Sequence, residues 1–94
     1  SSYVRGYDFV GVVDDHDLKQ NRLKINGRNR FAIGDIIEIL DPCRPEIKEI
    51  KIEQIINEAG EHLEAAHNGY IVHVPLSENE TELISKHALV RRKK

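Results

Sequence analysis

The stretch Phe31-Ala32-Ile33-Gly34-Asp35-Ile36-Ile37-Glu38-Ile39-Leu40-Asp41-Pro42 decides the fold class of this chain. Gly34-Asp35 predicts a tight turn between two short apolar segments. The run Ile36–Leu40 is rich in β-branched residues, which favour an extended strand. Asp41-Pro42 ends that strand, because proline lacks the amide hydrogen that a strand ladder needs.

The same pattern of short strands and turns continues on both sides of this stretch. Asn26-Gly27 and Asn68-Gly69 are turn signals, Asn57–Gly60 predicts a hairpin loop, and residues 61–66 fit a helix or a strand equally well. Further strands are predicted at Phe9–Val13, around Leu23 and Ile25, at Glu49–Ile56 and at Tyr70–Val74. The sequence therefore predicts an all-β fold class. A small closed or partly open β-barrel is favoured, because closure removes exposed strand edges.

Length and composition predict one domain over residues 1–94, with one core and no deep active site. The chain lacks methionine and begins Ser1-Ser2, which suggests a piece excised from a larger protein. Cys43 is the single cysteine, so no internal disulfide can form, and a reducing, cytoplasmic setting is expected. No apolar run is long enough to cross a bilayer, so no membrane partner is expected.

Metal binding and nucleophilic catalysis find little support in the residue spacing. His62 and His67 are five positions apart, which is not the spacing that places two ligands on one helix face. Cys43 has no identifiable base or oxyanion site. The sequence Asp14–Asp17, with His16 inside it, is interpreted as a polar hairpin loop. We therefore predict no catalytic residue, no metal site, and histidines scattered over the surface: His16, His62, His67, His73 and His87.

Several segments, in order and spacing, resemble the C-terminal domain of peptidase family U32, and together they cover nearly the whole chain. The segments are Tyr7–Val13 (YDFVGVV), Arg28–Ile39 (RNRFAIGDIIEI), Ile55–Gly60 (IINEAG), Glu64–His67 (EAAH) and Leu89–Lys94 (LVRRKK).

This resemblance implies a small β-barrel similar to the second domain of translation elongation factors. Family members are described as collagenase-like proteases, and some hydroxylate uridine or cytidine in tRNA or ribosomal RNA. Their catalytic residues, and the cysteines thought to hold an iron–sulfur cluster, lie in a larger N-terminal part. The resemblance therefore implies that residues 1–94 are a C-terminal, non-catalytic domain excised from a larger protein. It also implies no cofactor in this domain, and the catalytic N-terminal domain of the parent chain as a partner.

The charge pattern is the most informative functional feature of the sequence. No acidic residue occurs between Asp17 and Asp35, whereas residues 46–64 carry six glutamates against two lysines. A basic strand face suits contact with RNA phosphates, and Tyr3, Tyr7 and Tyr70 are candidates for base stacking. The predicted RNA- or substrate-binding residues are Lys19, Arg22, Lys24, Arg28, Arg30, Arg91 and Arg92.

Two functional hypotheses follow. The leading one is a module that recruits or positions substrate, with RNA, tRNA above all, favoured over protein. The alternative is a structural or protein-interaction domain that docks on the catalytic domain or binds a protein substrate, and it predicts an exposed apolar patch. A bland interpretation also stands, in which the charges only solvate the outer face of the barrel.

Overall fold

A computed structural model describes residues 6–77 and 83–94 of the chain. The strands are β1 (Tyr7–Asp17), β2 (Arg22–Gly27), β3 (Phe31–Ala32), β4 (Ile36–Leu40), β5 (Lys48–Lys51), β6 (Ile55–Asn57), β7 (His62–Leu63), β8 (Ala65–Ala66), β9 (Ile71–Pro75) and β10 (Leu89–Lys93). The described residues form no helix, and hence no helix that could cross a membrane.

Eight strands form one curled antiparallel sheet in the order β5-β4-β10-β1-β2-β9-β6-β7, and β3 pairs separately with β8. The sheet curls into a half-barrel, which confirms the prediction of an all-β, partly open barrel. The C-terminal strand β10 lies in the interior of the sheet, between β1 and β4. The basic C-terminus is therefore part of the folded sheet.

The core lies on the concave side of the sheet and follows from the alternation seen in the sequence. Leu23 and Ile25 of β2 and Val72 and Val74 of β9 are fully buried, while their neighbours in the strand point outward. Among the described residues, Phe31 of β3 is the largest fully buried side chain. Burial of each such side chain contributes about 1.5–3 kcal/mol, which makes this alternation the main determinant of the register.

The polar hairpin loop predicted at residues 14–17 is wrong, because these residues continue β1. They pair with β2 through His16 opposite Leu23 and Asp17 opposite Arg22, after a bulge between Val13 and Asp15. The extra bulge residue, Asp14, shifts the alternation by one position, so His16 turns inward and is only 6% exposed. The placement of His16 at the surface is wrong for the same reason.

The single strand predicted at Glu49–Ile56 is also wrong, because the chain divides into β5 and β6. Ile52 leaves the ladder between them and bonds elsewhere: its amide donates to the Asp35 carbonyl, and its carbonyl accepts from the Gly34 amide. Residues 61–66 form strands β7 and β8, not a helix. The hairpin loop at Asn57–Gly60 is confirmed, with Gly60 at a φ of 88°.

Candidate nucleic-acid interface

Arg91 of β10 forms an ion pair with a buried carboxylate. Its Nε and Nη2 lie 2.8 and 2.7 Å from the same oxygen of Glu38, its cross-strand neighbour on β4. Glu38 is only 8% exposed. The guanidinium also stacks over the Tyr7 ring, 3.8 Å from its centroid. Arg91 therefore compensates a charge inside the structure, and this leaves it poorly placed to bind a phosphate.

Arg92 also pairs with carboxylates, but on the opposite face of β10. Its Nη2 donates to Asp8 at 2.7 Å, and its Nη1 lies 3.9 Å from Asp35. The hydrogen bond from Arg92, aided by Lys94, holds the pKa of the Asp8 carboxyl below its ordinary value. Lys93 completes the series with an ion pair to Glu49 at 3.0 Å. The basic C-terminus is therefore a strand whose charges are matched by neighbouring carboxylates.

The N-terminal end of β2 mixes cations with acids. The Lys24 ammonium lies 3.8 Å from Asp14 and 3.6 Å from Glu58, so its charge is shared between two carboxylates. Arg22 pairs across the sheet with Asp17, and its Nε is buried without a hydrogen-bond partner.

The pKa of His73 on β9 reflects burial and the charges at this end of the sheet. It is the cross-strand partner of Lys24 and is half-buried. Burial, followed by the positive charges of Arg22 and Lys24, lowers the pKa of its imidazole. Lys19 is exposed in the turn that joins β1 to β2, and its ammonium makes no ion pair within the described ranges.

At the other end of β2, Arg28 and Arg30 lie on an exposed bend. Within residues 6–77 and 83–94, neither guanidinium makes an ion pair. Six residues of extended chain separate Arg22 from Arg28, which corresponds to about 20 Å. The seven predicted contacts therefore do not converge: Lys24, Arg91 and Arg92 have carboxylate partners, and the others divide between the two ends of β2.

A β-bulge in β1 fixes the position of this bend. Phe9 pairs with Arg91 and Gly11 with Val90, so Val10 is the extra residue and its carbonyl is free of the ladder. That carbonyl accepts hydrogen bonds from the amides of residues 28 and 29, at 2.8 and 3.3 Å. The side-chain amide of Asn29 also donates to the Phe9 carbonyl at 2.9 Å. The bend is thereby held against the first half of β1.

Two exposed aromatic side chains accompany the bend. Phe9 is 43% exposed and Tyr7 is 41% exposed, because both lie on the outer face of β1. We call Tyr7, Phe9, Arg28 and Arg30 the aromatic–basic corner. Phe9 was not among the predicted site residues, although its alternation with buried Val10 places it on the outer face.

Tyr70 and Tyr3, the other two candidates for base stacking, are not counted in this corner. Tyr70 is exposed at the start of β9, with its ring edge-on to His67 at 5.3 Å. Tyr3 lies outside the described residues.

In the part of the chain that the structure describes, no three His, Cys, Asp or Glu side chains are placed to hold a metal. Cys43 is exposed in the loop after β4.

Comparison with known proteins identifies the family. The model of the peptidase family U32 C-terminal domain matches residues 5–91. The crystal structure of the C-terminal domain of a Geobacillus thermoleovorans protein assigned to the U32 peptidases is similar, with 27% identity, a TM-score of 0.80 and coverage of 93% of each chain. Its selenomethionine variant gives 28% identity and a TM-score of 0.79, over 89% of this chain and 98% of that one. No curated protein matches. The chain belongs to peptidase family U32, as an example of its C-terminal domain.

Proposed function

We propose that this chain is a non-catalytic accessory domain that holds RNA for a U32-family protein through the aromatic–basic corner. One observation carries the proposal: two exposed arginines without carboxylate partners in the described structure lie on a bend that is hydrogen-bonded to β1 at Phe9 and Val10, and this strand carries two exposed aromatic rings. We also propose that the domain carries no cofactor of its own and acts with the catalytic part of its protein, in the cytoplasm.

The chemistry of the corner suits unpaired RNA. A guanidinium binds phosphate oxygens with two parallel hydrogen bonds, and an aromatic face stacks on a splayed base. Stacking of one base contributes about 1–3 kcal/mol and tolerates any sequence. Two arginines and the exposed Phe9 ring would therefore hold a short single-stranded segment or loop, with little preference for its sequence, while the Tyr7 ring already stacks against Arg91.

The electrostatic balance also favours the corner over the rest of the predicted surface. The corner and its neighbour β10 carry the cations Arg28, Arg30, Arg91, Arg92, Lys93 and Lys94, against the carboxylates Asp8, Asp35, Glu38 and Glu49. The surplus of two positive charges corresponds to the two unpaired arginines. At the opposite end of β2, by contrast, Asp14, Asp17 and Glu58 oppose the basic side chains.

Fluorescence anisotropy with labelled tRNA and a labelled single-stranded oligoribonucleotide, titrated with salt, tests the proposal. Each phosphate contact to a single strand contributes about 0.7 to the slope of log K against log salt. We expect the double variant Arg28→Gln/Arg30→Gln to bind more weakly and to lower this slope by about 1.4. We expect Phe9→Ala to weaken binding by about 1–3 kcal/mol through lost stacking.

The variant Lys19→Gln/Arg22→Gln is the matched control, because it removes the same charge at the far end of β2. At physiological salt the Debye length is about 8 Å, so charges about 20 Å away should leave the slope unchanged. The proposal fails if the original domain binds neither RNA at low salt. It also fails if the two double variants weaken binding equally, since the binding would then be non-specific.

A further inference from the structure

His16 of β1 is buried, and both nitrogens of its ring face polar groups from distant parts of the chain. Its Nδ1 accepts a hydrogen bond from the buried backbone amide of Ile84 at 2.9 Å. Its Nε2 lies 3.4 Å from the side-chain oxygen of Asn21, whose side-chain amide donates to the Ser77 carbonyl at 2.8 Å. A backbone amide only donates, so Nδ1 carries no proton and the neutral ring carries its single proton on Nε2. The imidazole therefore joins β1 to Ile84 only while it is neutral.

Ile84 belongs to the segment Leu83–Ala88, which leads into β10 and which we call the strap. The strap contributes Ile84, 3% exposed, and the fully buried Ala88 to the core. Its C-terminal half is fixed by the backbone of Val13 on β1. The Val13 carbonyl accepts from the His87 amide and the Val13 amide donates to the Ala88 carbonyl, both at 2.8 Å. This half of the strap is held by backbone groups that do not titrate.

The N-terminal half of the strap is held by side chains instead. The Ser85 amide donates to Asp41 at 3.0 Å, and Arg44 donates to the Leu83 carbonyl at 3.1 Å. Burial acts to raise the pKa of Asp41, but the backbone amides that donate to its carboxylate outweigh burial and hold the pKa below its ordinary value. Asp41 therefore stays ionised in mild acid and keeps its hold on the strap. The His16 anchor differs, because imidazole is the side chain that ordinarily titrates between pH 5 and 8.

We propose that His16 is a pH-sensitive clasp, which holds the N-terminal half of the strap at neutral pH and releases it when the ring takes up a proton. Protonation places an N–H on Nδ1 opposite the N–H of Ile84, so two donors face each other and the acceptor is lost. The charged ring also gains by moving to water, since an unpaired buried charge is costly. The sheet stays folded, because its ladders do not depend on this ring. The clasp uses neither Arg28 nor Phe9 and is independent of the proposed RNA function.

The charges around His16 offer the protonated ring no partner that would keep it in place. The charged side chains that adjoin its position are Asp15 and Asp17 of β1, Arg22 and Lys24 of β2, Lys86 of the strap, and Asp41 with Arg44 in the loop after β4. Acids and bases are mixed in this set, and among the described residues none makes an ion pair with the imidazole. Release of the strap is therefore the expected response to protonation.

NMR spectroscopy of this chain between pH 8 and pH 5 tests the clasp over the range in which imidazole titrates. The ring nitrogen shifts of His16 should show the neutral Nε2–H tautomer at pH 8. As the ring titrates, we expect the hydrogen-exchange protection factor of the Ile84 amide, which is corrected for the intrinsic effect of pH, to fall about tenfold or more through the loss of its hydrogen bond. The His87 amide, bonded to the Val13 carbonyl, should keep its protection.

Two variants separate the clasp from a general effect of acid. His16→Asn supplies an acceptor that mild acid does not protonate, and it should make the protection of Ile84 independent of pH. His87→Asn is the matched control, because it removes an exposed histidine of the same strap at a φ of 71° that asparagine tolerates, and it should leave the pH response unchanged.

Three results for the unmodified chain would overturn the proposal. The first is an Nδ1–H tautomer of His16 at pH 8. The second is a ring that stays neutral down to pH 5, and the third is protection of Ile84 that persists once the ring is protonated. Simultaneous loss of protection at the core amides of β2 and β9 would also overturn it, since acid would then unfold the domain instead of releasing the strap.

Discussion

Replacing Arg91 by leucine should destabilise the domain far more than the loss of a surface charge would. The change leaves Glu38, whose side chain is only 10% exposed, without its counter-ion. Breaking a buried ion pair on one side costs about 3–5 kcal/mol. The side chain of Arg91 is itself 28% exposed, so we expect the lower end, about 3 kcal/mol. For a domain of this size that lowers the thermal midpoint by roughly 12–24 °C.

Urea denaturation followed by circular dichroism measures this loss in the free energy of unfolding. Two control variants test whether the loss comes from the buried ion pair. Lys93→Ala breaks an ion pair on the same strand whose side chains are 41% and 53% exposed, and it should cost less than about 1 kcal/mol. The double variant Glu38→Leu/Arg91→Leu removes the stranded carboxylate and should recover most of the loss. A loss below about 1 kcal/mol for Arg91→Leu would refute the reasoning, because the pair would then behave as an exposed one.

Three further perturbations test the packing around the sheet. Gly27→Ala would place a Cβ 2.7 and 3.2 Å from two backbone carbonyl oxygens of the turn at residues 67–70, and we expect a loss of about 1–3 kcal/mol in urea denaturation. Burial acts to raise the pKa of Asp41, but two backbone amides that donate to its carboxylate outweigh it and hold the pKa below 3.8. That stabilisation is full above pH 3.8 and is lost as the pH falls through the folded-state pKa, so Asp41→Asn should flatten the acid limb of the stability profile. His16→Leu removes the Nδ1 that accepts the Ile84 amide at 2.9 Å; we expect about 1–3 kcal/mol of lost stability and faster hydrogen exchange at that amide.

The strands could be predicted from the sequence wherever one face is buried. Leu23 and Ile25, or Val72 and Val74, alternate with polar residues, and the period of two follows directly from strand geometry. Prediction failed where a residue leaves its ladder, as Ile52 does, or where a bulge shifts the register, as before His16. Both events depend on partners distant in the chain, which local alternation does not record.

The candidate site, like the strands, could be predicted only where it depends on residues close together in the sequence. The sequence identified the cations but not their partners, since Glu38 lies 53 positions from Arg91 and meets it only because β10 enters the sheet beside β4. Phe9 was missed because the sequence gives no sign of the bulge that brings the bend of Arg28 and Arg30 beside it. A count of basic residues therefore overestimates the surface available to RNA, because pairing in the fold removes some of the charges counted.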